Sequence, residues 1–221
     1  PAYKIASQEC IHLPLIEKVA STNKPIVMST GMASLAEIDE AVNLIRKTSS
    51  SEILLMKCTS TYPSNPENSN VLTIPYLKNI FGCEVGLSDH TLGIGAALAA
   101  VSNGASMIEK HFTVKRSDGG VDSEFSLEPK EMQSLVEESK RAWQSLGKIQ
   151  FGPTKSEKVS LSGRRSIYIS EDVKAGDILS DENIKIIRPN GGLSPKFYNI
   201  ILGRIIKKDL KKGTPLSWDL F

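Results

Sequence analysis

Two histidines stand at matching places in the chain. Val85-Gly86-Leu87 leads into Ser88-Asp89-His90-Thr91, and Met107-Ile108 leads into Glu109-Lys110-His111. If both apolar runs are neighbouring strands of one parallel sheet, they lie about 4.8 Å apart. The imidazoles at their carboxyl ends can then converge on one divalent cation. Two histidine ligands leave positions open for a substrate oxygen and for water, as a Lewis-acid site requires. One histidine at a strand end is ordinarily a hydrogen-bonded polar residue and no more; two in register point to metal chemistry. Strand alternation puts Glu109 on the face of His111, where an inward carboxylate needs a hydrogen-bond or ion-pair partner. Lys110 then faces the other way and reads as a surface lysine.

Other polar clusters follow apolar runs. Lys4, Ser7 and Glu9 lie at the end of the first, Ser29-Thr30-Gly31 at the end of the second, and Lys57-Cys58-Thr59-Ser60-Thr61-Tyr62 after Ile53–Met56. Lysine, hydroxyls and main-chain N–H groups at strand ends suit a phosphate, although Ser-Thr-Gly is equally a common helix lead-in. The loop Asp118-Gly119-Gly120-Val121-Asp122-Ser123 carries two acids in a Gly-rich setting, as either a substrate lid or an ordinary turn.

The elements that must position these groups are strands at Tyr3–Ser7, Ile26–Thr30, Ile53–Cys58, Val85–Ser88 and Met107–Phe112. Leu35, Ile38, Val42 and Ile45 form one stripe of a helix over Leu35–Arg46, and Ser34 with Glu37 makes a capping-box signature at its start. A second helix runs from about Pro129 to Leu146, stops at Gly147, and is expected to bury Met132, Leu135, Val136, Trp143 and Leu146. The Ala- and Gly-rich Ile94–Ser102 suggests a helix packed closely on a sheet. Strand spacings of roughly 22 to 32 residues fit βα units. Five units do not close an eight-stranded barrel. Either the sheet is open and doubly wound, without a Gly-rich dinucleotide turn after its first strand, or it is a barrel whose first three strands precede this chain.

Residues 148–162 lose helical period and gain Gly, Pro, Ser and Lys, and read as a linker. Beyond them lie short β-branched runs with an internal echo: Asp172-Val173-Lys174-Ala175-Gly176 against Asp209-Leu210-Lys211-Lys212-Gly213. Two similar turns imply a small β-rich module of pseudo-twofold character, small enough to need a packing partner.

Composition narrows the classes further. Of 221 residues, 40% are hydrophobic and 24% charged, with a formal net charge of +2, which suits a globular protein and gives no reason to expect a nucleic acid or anionic membrane partner. The seven cationic side chains between Arg188 and Lys212 read as a solvated face. No apolar run is long enough for a membrane span. The three cysteines, Cys10, Cys58 and Cys83, make no paired motif, so a reducing cytoplasm is expected. Pro1 already reads as the middle of a domain, and further chain is expected upstream.

Taken in order, YKIASQE, PIVMSTGM, LLMKCTSTYP, VGLSDHTLG, MIEKHF and FSLEP resemble the sialic acid synthase family. RRSIYISEDVKAGDIL, IIRPNGGLSP and ILGRIIKKDLKKGTPL resemble its C-terminal antifreeze-like (SAF) domain. The resemblance implies an α/β fold. Residues 1–147 would be the last five βα units of a (β/α)8 TIM barrel, 148–162 a linker, and 163–221 a small β-rich SAF domain. It also implies an enzyme that condenses phosphoenolpyruvate with an amino sugar, releasing phosphate by C–O cleavage. GGVDSEFSLEP, Lys57 and GTPLSWDL resemble the pseudaminate branch rather than the neuraminate or legionaminate ones.

Carried over motif by motif, His90 and His111 would bind Mn2+, with Mg2+ or Co2+ as alternatives. Lys4, Ser7, Ser29, Ser60, Tyr62 and Ser88 would hold phosphoenolpyruvate, Ser60 standing where some neuraminate enzymes have Asn. Glu9 would be a catalytic carboxylate, and Asp122 a sugar-contacting acid with a part in catalysis. Arg188 would reach the barrel mouth of the other subunit in a domain-exchanged homodimer. The rival readings are a metal-dependent aldolase on a similar barrel and a non-catalytic fragment.

Overall fold

The computed structural model describes Pro1–Phe221, and the chain divides into two compact units, Pro1–Lys148 and Ile149–Phe221. In the first, five parallel strands stand side by side in sequence order: β1 (Tyr3–Ile5), β2 (Ile26–Ser29), β3 (Ile53–Cys58), β4 (Glu84–Asp89) and β5 (Ile108–Lys110). Their crossovers carry α1 (Leu13–Ala20), α2 (Leu35–Thr48), α3 (Thr73–Phe81) and α4 (Gly95–Ser102), and α5 (Pro129–Leu146) follows β5. Parallel strands in sequential order, each followed by a helix, are the build of a (β/α) barrel. Here they form a curled, open arc. No helix is long and apolar enough to cross a membrane.

Strand register sorts the side chains onto two faces. Ile5, Met28, Leu55 and Val85 form one row and pack against Ile16, Val42, Ile45, Ile74 and Leu77 of the helices. Fully burying each such side chain contributes about 1.5–3 kcal/mol. The opposite face carries Ser29, Met56 and Gly86 in one row and Cys58, Ser88 and Glu109 in the next. The sheet thus turns hydrocarbon toward its helices and polar groups toward the barrel interior.

The capping box at Ser34 forms: its Oγ accepts from Glu37 N–H, while the Glu37 carboxylate accepts from Ser34 N–H at 2.7 Å. Helix α5 begins behind a second box made by Glu128 and Glu131, with Pro129 in its first turn, where the missing N–H costs nothing.

One expectation for α5 fails. Leu135 is buried, with Met132 packed beside it against Ala97 and Leu127, but Val136, Trp143 and Leu146 are 62%, 65% and 49% exposed. β5 is the edge of the arc, and no further βα layer beyond it covers the rest of the stripe. The outer strands are also shorter than expected: Ser7 leaves β1 for a 3-10 turn over Ser7–Ile11, and His111 and Phe112 lie past the end of β5.

The second unit holds a two-stranded antiparallel sheet, β6 (Ser166–Ile169) with β7 (Ile184–Ile187), and a short helix α6 (Tyr198–Ile201). A 3-10 stretch over Glu157–Gly163 precedes them. Ile167, Ile169, Leu179, Ile184, Ile201 and Ile206 fill its core. The internal echo is realised as a reciprocal clasp. Val173 and Leu210 bridge antiparallel; Ala175 N–H donates to Asp209, and Lys212 N–H donates to Asp172.

Candidate active site

Register converts sequence spacing into a site. β4 and β5 pair Ser88 with Glu109 and Asp89 with Lys110, so the next residues, His90 and His111, fall side by side with ring centroids 5.2 Å apart. His90 is buried; the side chain of His111 is 31% exposed.

His90 Nδ1 lies 2.8 Å from the Thr59 carbonyl. A carbonyl only accepts, so Nδ1 carries the hydrogen, and in the neutral ring Nε2 keeps its lone pair. His111 Nδ1 faces Asp122 Oδ2 at 3.5 Å, which favours the same tautomer. A carbonyl or carboxylate behind Nδ1 is the usual outer partner of a metal-binding histidine. No group of three His, Cys, Asp or Glu side chains is placed to hold an ion. The donor set is therefore two imidazoles, and it fits a divalent cation that completes its shell with oxygen from substrate and water.

Burial pulls the His90 pKa down, but the Cys58 thiol, the Thr59 carbonyl and Asp89 together carry it above the ordinary value. Burial and the neighbouring His90 hold His111 below its ordinary value, against the pull of Asp122 and Glu109. Cys58 stands 3.9 Å from His90 Nδ1 and 3.8 Å from Ser60 Oγ. Burial raises the thiol, yet hydrogen bonds with His90, Ser7 and Ser60 bring it down to about 7. Tyr62, 4.3 Å from His90 between ring centroids, and Phe125, 5.0 Å from His111, form an aromatic wall.

Beside the histidines lies a charged network. Lys4 Nζ donates to Ser29 Oγ at 2.8 Å and pairs with Glu109 at 3.3 Å, while Ser88 Oγ donates to Glu109 at 2.8 Å. Glu109 thus has the partners its inward direction demanded. Lys4, Ser88, His90, Glu109, Lys110 and His111 line a cavity of about 370 Å³. Nearby, Gly31 N–H donates to Ser7 Oγ at 3.1 Å. A Cβ at Gly31 would lie 2.4 Å from Ser60 Oγ and 2.7 Å from Ser7 Oγ, so only glycine lets the backbone come this close.

Of the residues singled out in sequence, Lys4, Ser7, Ser29, Ser60, Tyr62, Ser88, His90, His111 and Asp122 gather at the carboxyl ends of the strands. Glu9 sits half-buried in the 3-10 turn after β1, with no side-chain hydrogen bond and outside the cavity wall. Arg188 belongs to the second unit, where it is exposed and lines a hollow with Arg164 and Arg165.

Lys110 is not a surface lysine. Its side chain is 2% exposed and pairs at 2.7 Å with Asp89, itself 1% exposed. Alternation does turn Lys110 away from His111, but the outer face of a barrel strand is covered by helices, not water. The sequence reading gave no site role to Cys58, Asp89 or Phe125. Cys58 had a usable signal, since it lies two positions beyond Met56 on the inward face. Lys57, a marker of the sugar branch in sequence, lies on the outer face and donates to the Cys58 carbonyl at 3.0 Å.

Residues 1–151 match the NeuB family model, and residues 164–221 match the SAF domain model. A pseudaminic acid synthase of Helicobacter pylori is 44% identical over 221 residues, which are 99% of this chain and 65% of that protein. An N,N'-diacetyllegionaminic acid synthase of Campylobacter jejuni is 39% identical over 95% of this chain and 64% of its own length. Among solved structures, an N-acetylneuraminic acid synthetase of Leptospira borgpetersenii in complex with citrate superposes with a TM-score of 0.67 at 39% identity, covering 72% of this chain and 56% of that one. The chain therefore spans somewhat less than two thirds of the length of the relatives it matches.

Proposed function

The chain belongs to the NeuB family, and on that premise we propose that it supplies the strand-end groups of a pseudaminic acid synthase. The reaction would condense phosphoenolpyruvate with 2,4-diacetamido-2,4,6-trideoxy-β-L-altropyranose to a nine-carbon acid, with phosphate leaving by C–O cleavage. The observation that carries this reading is the pairing of His90 and His111, each with Nδ1 engaged, next to the Lys4–Ser29–Glu109 network.

His90 and His111 would hold a divalent ion, Mn2+ first, through Nε2. When bound, the ion polarises the aldehyde of the open-chain sugar. Lys4 and the hydroxyls of Ser7, Ser29, Ser60, Tyr62 and Ser88 offer cationic and neutral donors to the anionic phosphoenolpyruvate. Glu109, bonded to Ser88 and Lys4, would orient that lysine. Glu9 would donate a proton or orient water, and Asp122, behind His111 Nδ1, would hold that imidazole in place. Arg188 would contact the sugar from the other subunit of a domain-exchanged homodimer; its exposure, with no acidic partner, favours a ligand role. The free thiols of Cys10, Cys58 and Cys83 favour a cytoplasmic setting.

Phosphate release tests the reading. The full protein that carries this chain is supplied with Mn2+, phosphoenolpyruvate and, separately, the altrose sugar, its legionaminate-pathway counterpart or N-acetylmannosamine. Release with the altrose sugar alone, abolished by chelator and by His111→Ala, is the expected result. Release with the legionaminate-type sugar would favour the second reading, which the Campylobacter relative supports. No release from folded, metal-loaded protein would overturn both.

A further inference from the structure

We propose that the buried Asp89–Lys110 ion pair is a positioning device for the two imidazoles, locking the ends of β4 and β5 in one register and so setting the spacing of His90 and His111. The inference rests on the metal-binding reading above.

Hydrogen bonding past the pair carries the argument. β5 is three residues long, and its ladder with β4 ends at Asp89–Lys110. One residue later the chains part company: the His90 carbonyl accepts from Ser64 N–H at 2.8 Å, and the His111 carbonyl accepts from Leu127 N–H at 2.9 Å. No main-chain ladder therefore ties His90 to His111. The side-chain pair is the last link before they diverge, and it grips both sides of His90. Asp89 Oδ2 takes Lys110 Nζ at 2.7 Å, Asp89 Oδ1 takes Thr91 N–H at 2.9 Å, and Lys110 Nζ also donates to the Thr91 carbonyl. The residues before and after His90 are thus bound to the residue before His111.

Stability alone gives little reason for such a pair. Desolvating two charges is costly, and a well-packed apolar pair of similar size is often as stable or more so. What an apolar pair lacks is direction. A carboxylate held by an ammonium and an N–H fixes where each strand end points, and an error of a few tenths of an ångström at Asp89 passes straight to the adjacent ligand. Both side chains are sealed from solvent. They act through the histidines.

The test uses Asp89→Leu combined with Lys110→Met, which leaves no unpaired charge behind. This chain carries His12, His90 and His111; in 15N imidazole spectra of the metal-free full protein, signals assigned by single His→Gln substitutions report each tautomer, with His12 as internal control. Expected is a folded double variant in which His90 and His111 lose their fixed Nδ1–H signals, His12 is unchanged, and Mn2+ binds about 10- to 100-fold more weakly, as for other outer partners of metal ligands. Lys110→Arg, which keeps the charge, should restore most of both readouts. Unchanged imidazole signals and unchanged Mn2+ affinity in the double variant would overturn the proposal. Should that variant not fold, Asp89→Asn carries the test, with the same two outcomes. If the wild type binds no Mn2+, the metal reading falls by itself, while the metal-free spectra still decide whether the pair sets the imidazoles.

Discussion

The first unit joins Lys110 to Asp89 at 2.7 Å, and the second joins Lys174 to Asp209 at 2.9 Å and Lys211 to Asp172 at 2.6 Å. Charges and distances are nearly the same; water is not. The Lys110–Asp89 side chains are 2% and 1% exposed, those of Lys174 and Asp209 78% and 61%. In water the attraction between the exposed partners is screened, and the side-chain entropy of ordering them cancels much of it. The structural work of Asp172 and Asp209 lies in the main-chain N–H groups they cap, Lys212 at 2.8 Å and Ala175 at 3.0 Å, which fasten the two echoing turns to each other. Distance between charges thus says little about an ion pair's role; burial and the remaining hydrogen bonds say most of it.

Single truncations should separate the two kinds of pair most widely. Lys110→Met leaves Asp89 buried without its counter-charge and should cost about 3–5 kcal/mol of stability, read as a lowered urea midpoint. Lys174→Met should leave the midpoint of the second unit within measurement error. Comparable losses in both would break the distinction drawn from burial.

A smaller contrast lies in the glycines. In the first unit Gly31 is needed for space, with Ser60 and Ser7 oxygens where a Cβ would go; in the second, Gly213 has open space around it but a φ of +85°. Gly31→Ala should cost about 1–3 kcal/mol by overpacking and, in the proposed reaction, raise the KM for phosphoenolpyruvate, because it displaces two hydroxyls of the proposed site. Gly213→Ala should cost about 1–2 kcal/mol through its backbone alone and leave KM unchanged. A KM effect of Gly213→Ala equal to that of Gly31→Ala would undo the assignment.

These contrasts also mark what the sequence could reveal. Ile53–Cys58 and Pro129–Leu146 were legible to the residue, because a short apolar run after a Ser-rich stretch marks the first and a Pro–Gly frame the second. The clasp of Asp172 and Asp209 was legible as a repeat. Periodicity named the apolar stripe of α5 but could not say that only Leu135 and Met132 would find neighbours, since a period carries no information about partners. Alternation turned Lys110 away from the histidines without revealing that helices cover that face. Asp122 reaching His111 was beyond local pattern altogether. Its loop is anchored by Arg116, whose N–H donates to Glu128 and whose guanidinium pairs with Glu131 at the start of α5, and contacts of that kind emerge only from the folded chain.

The finest test concerns acid. Both clasp carboxylates have pKa values below the ordinary aspartate value. For Asp172 the Lys211 ammonium is the largest cause and Lys212 N–H comes next; for Asp209 Ala175 N–H comes first and Lys174 second. Because the folded values lie below the unfolded ones, their stabilisation is fully present above the unfolded pKa of about 4 and is lost as the pH falls through the lowered folded values. The second unit should therefore lose stability progressively below pH about 4, and Asp209→Asn or Asp172→Asn should each flatten that limb. Salt should tell them apart. Added salt screens the exposed ammonium but leaves a main-chain hydrogen bond largely intact, so the Asp172 contribution should shrink more than that of Asp209. Equally strong salt sensitivity in acid titrations of the two Asn variants would mean that the lysines, and not the capped N–H groups, hold the clasp together.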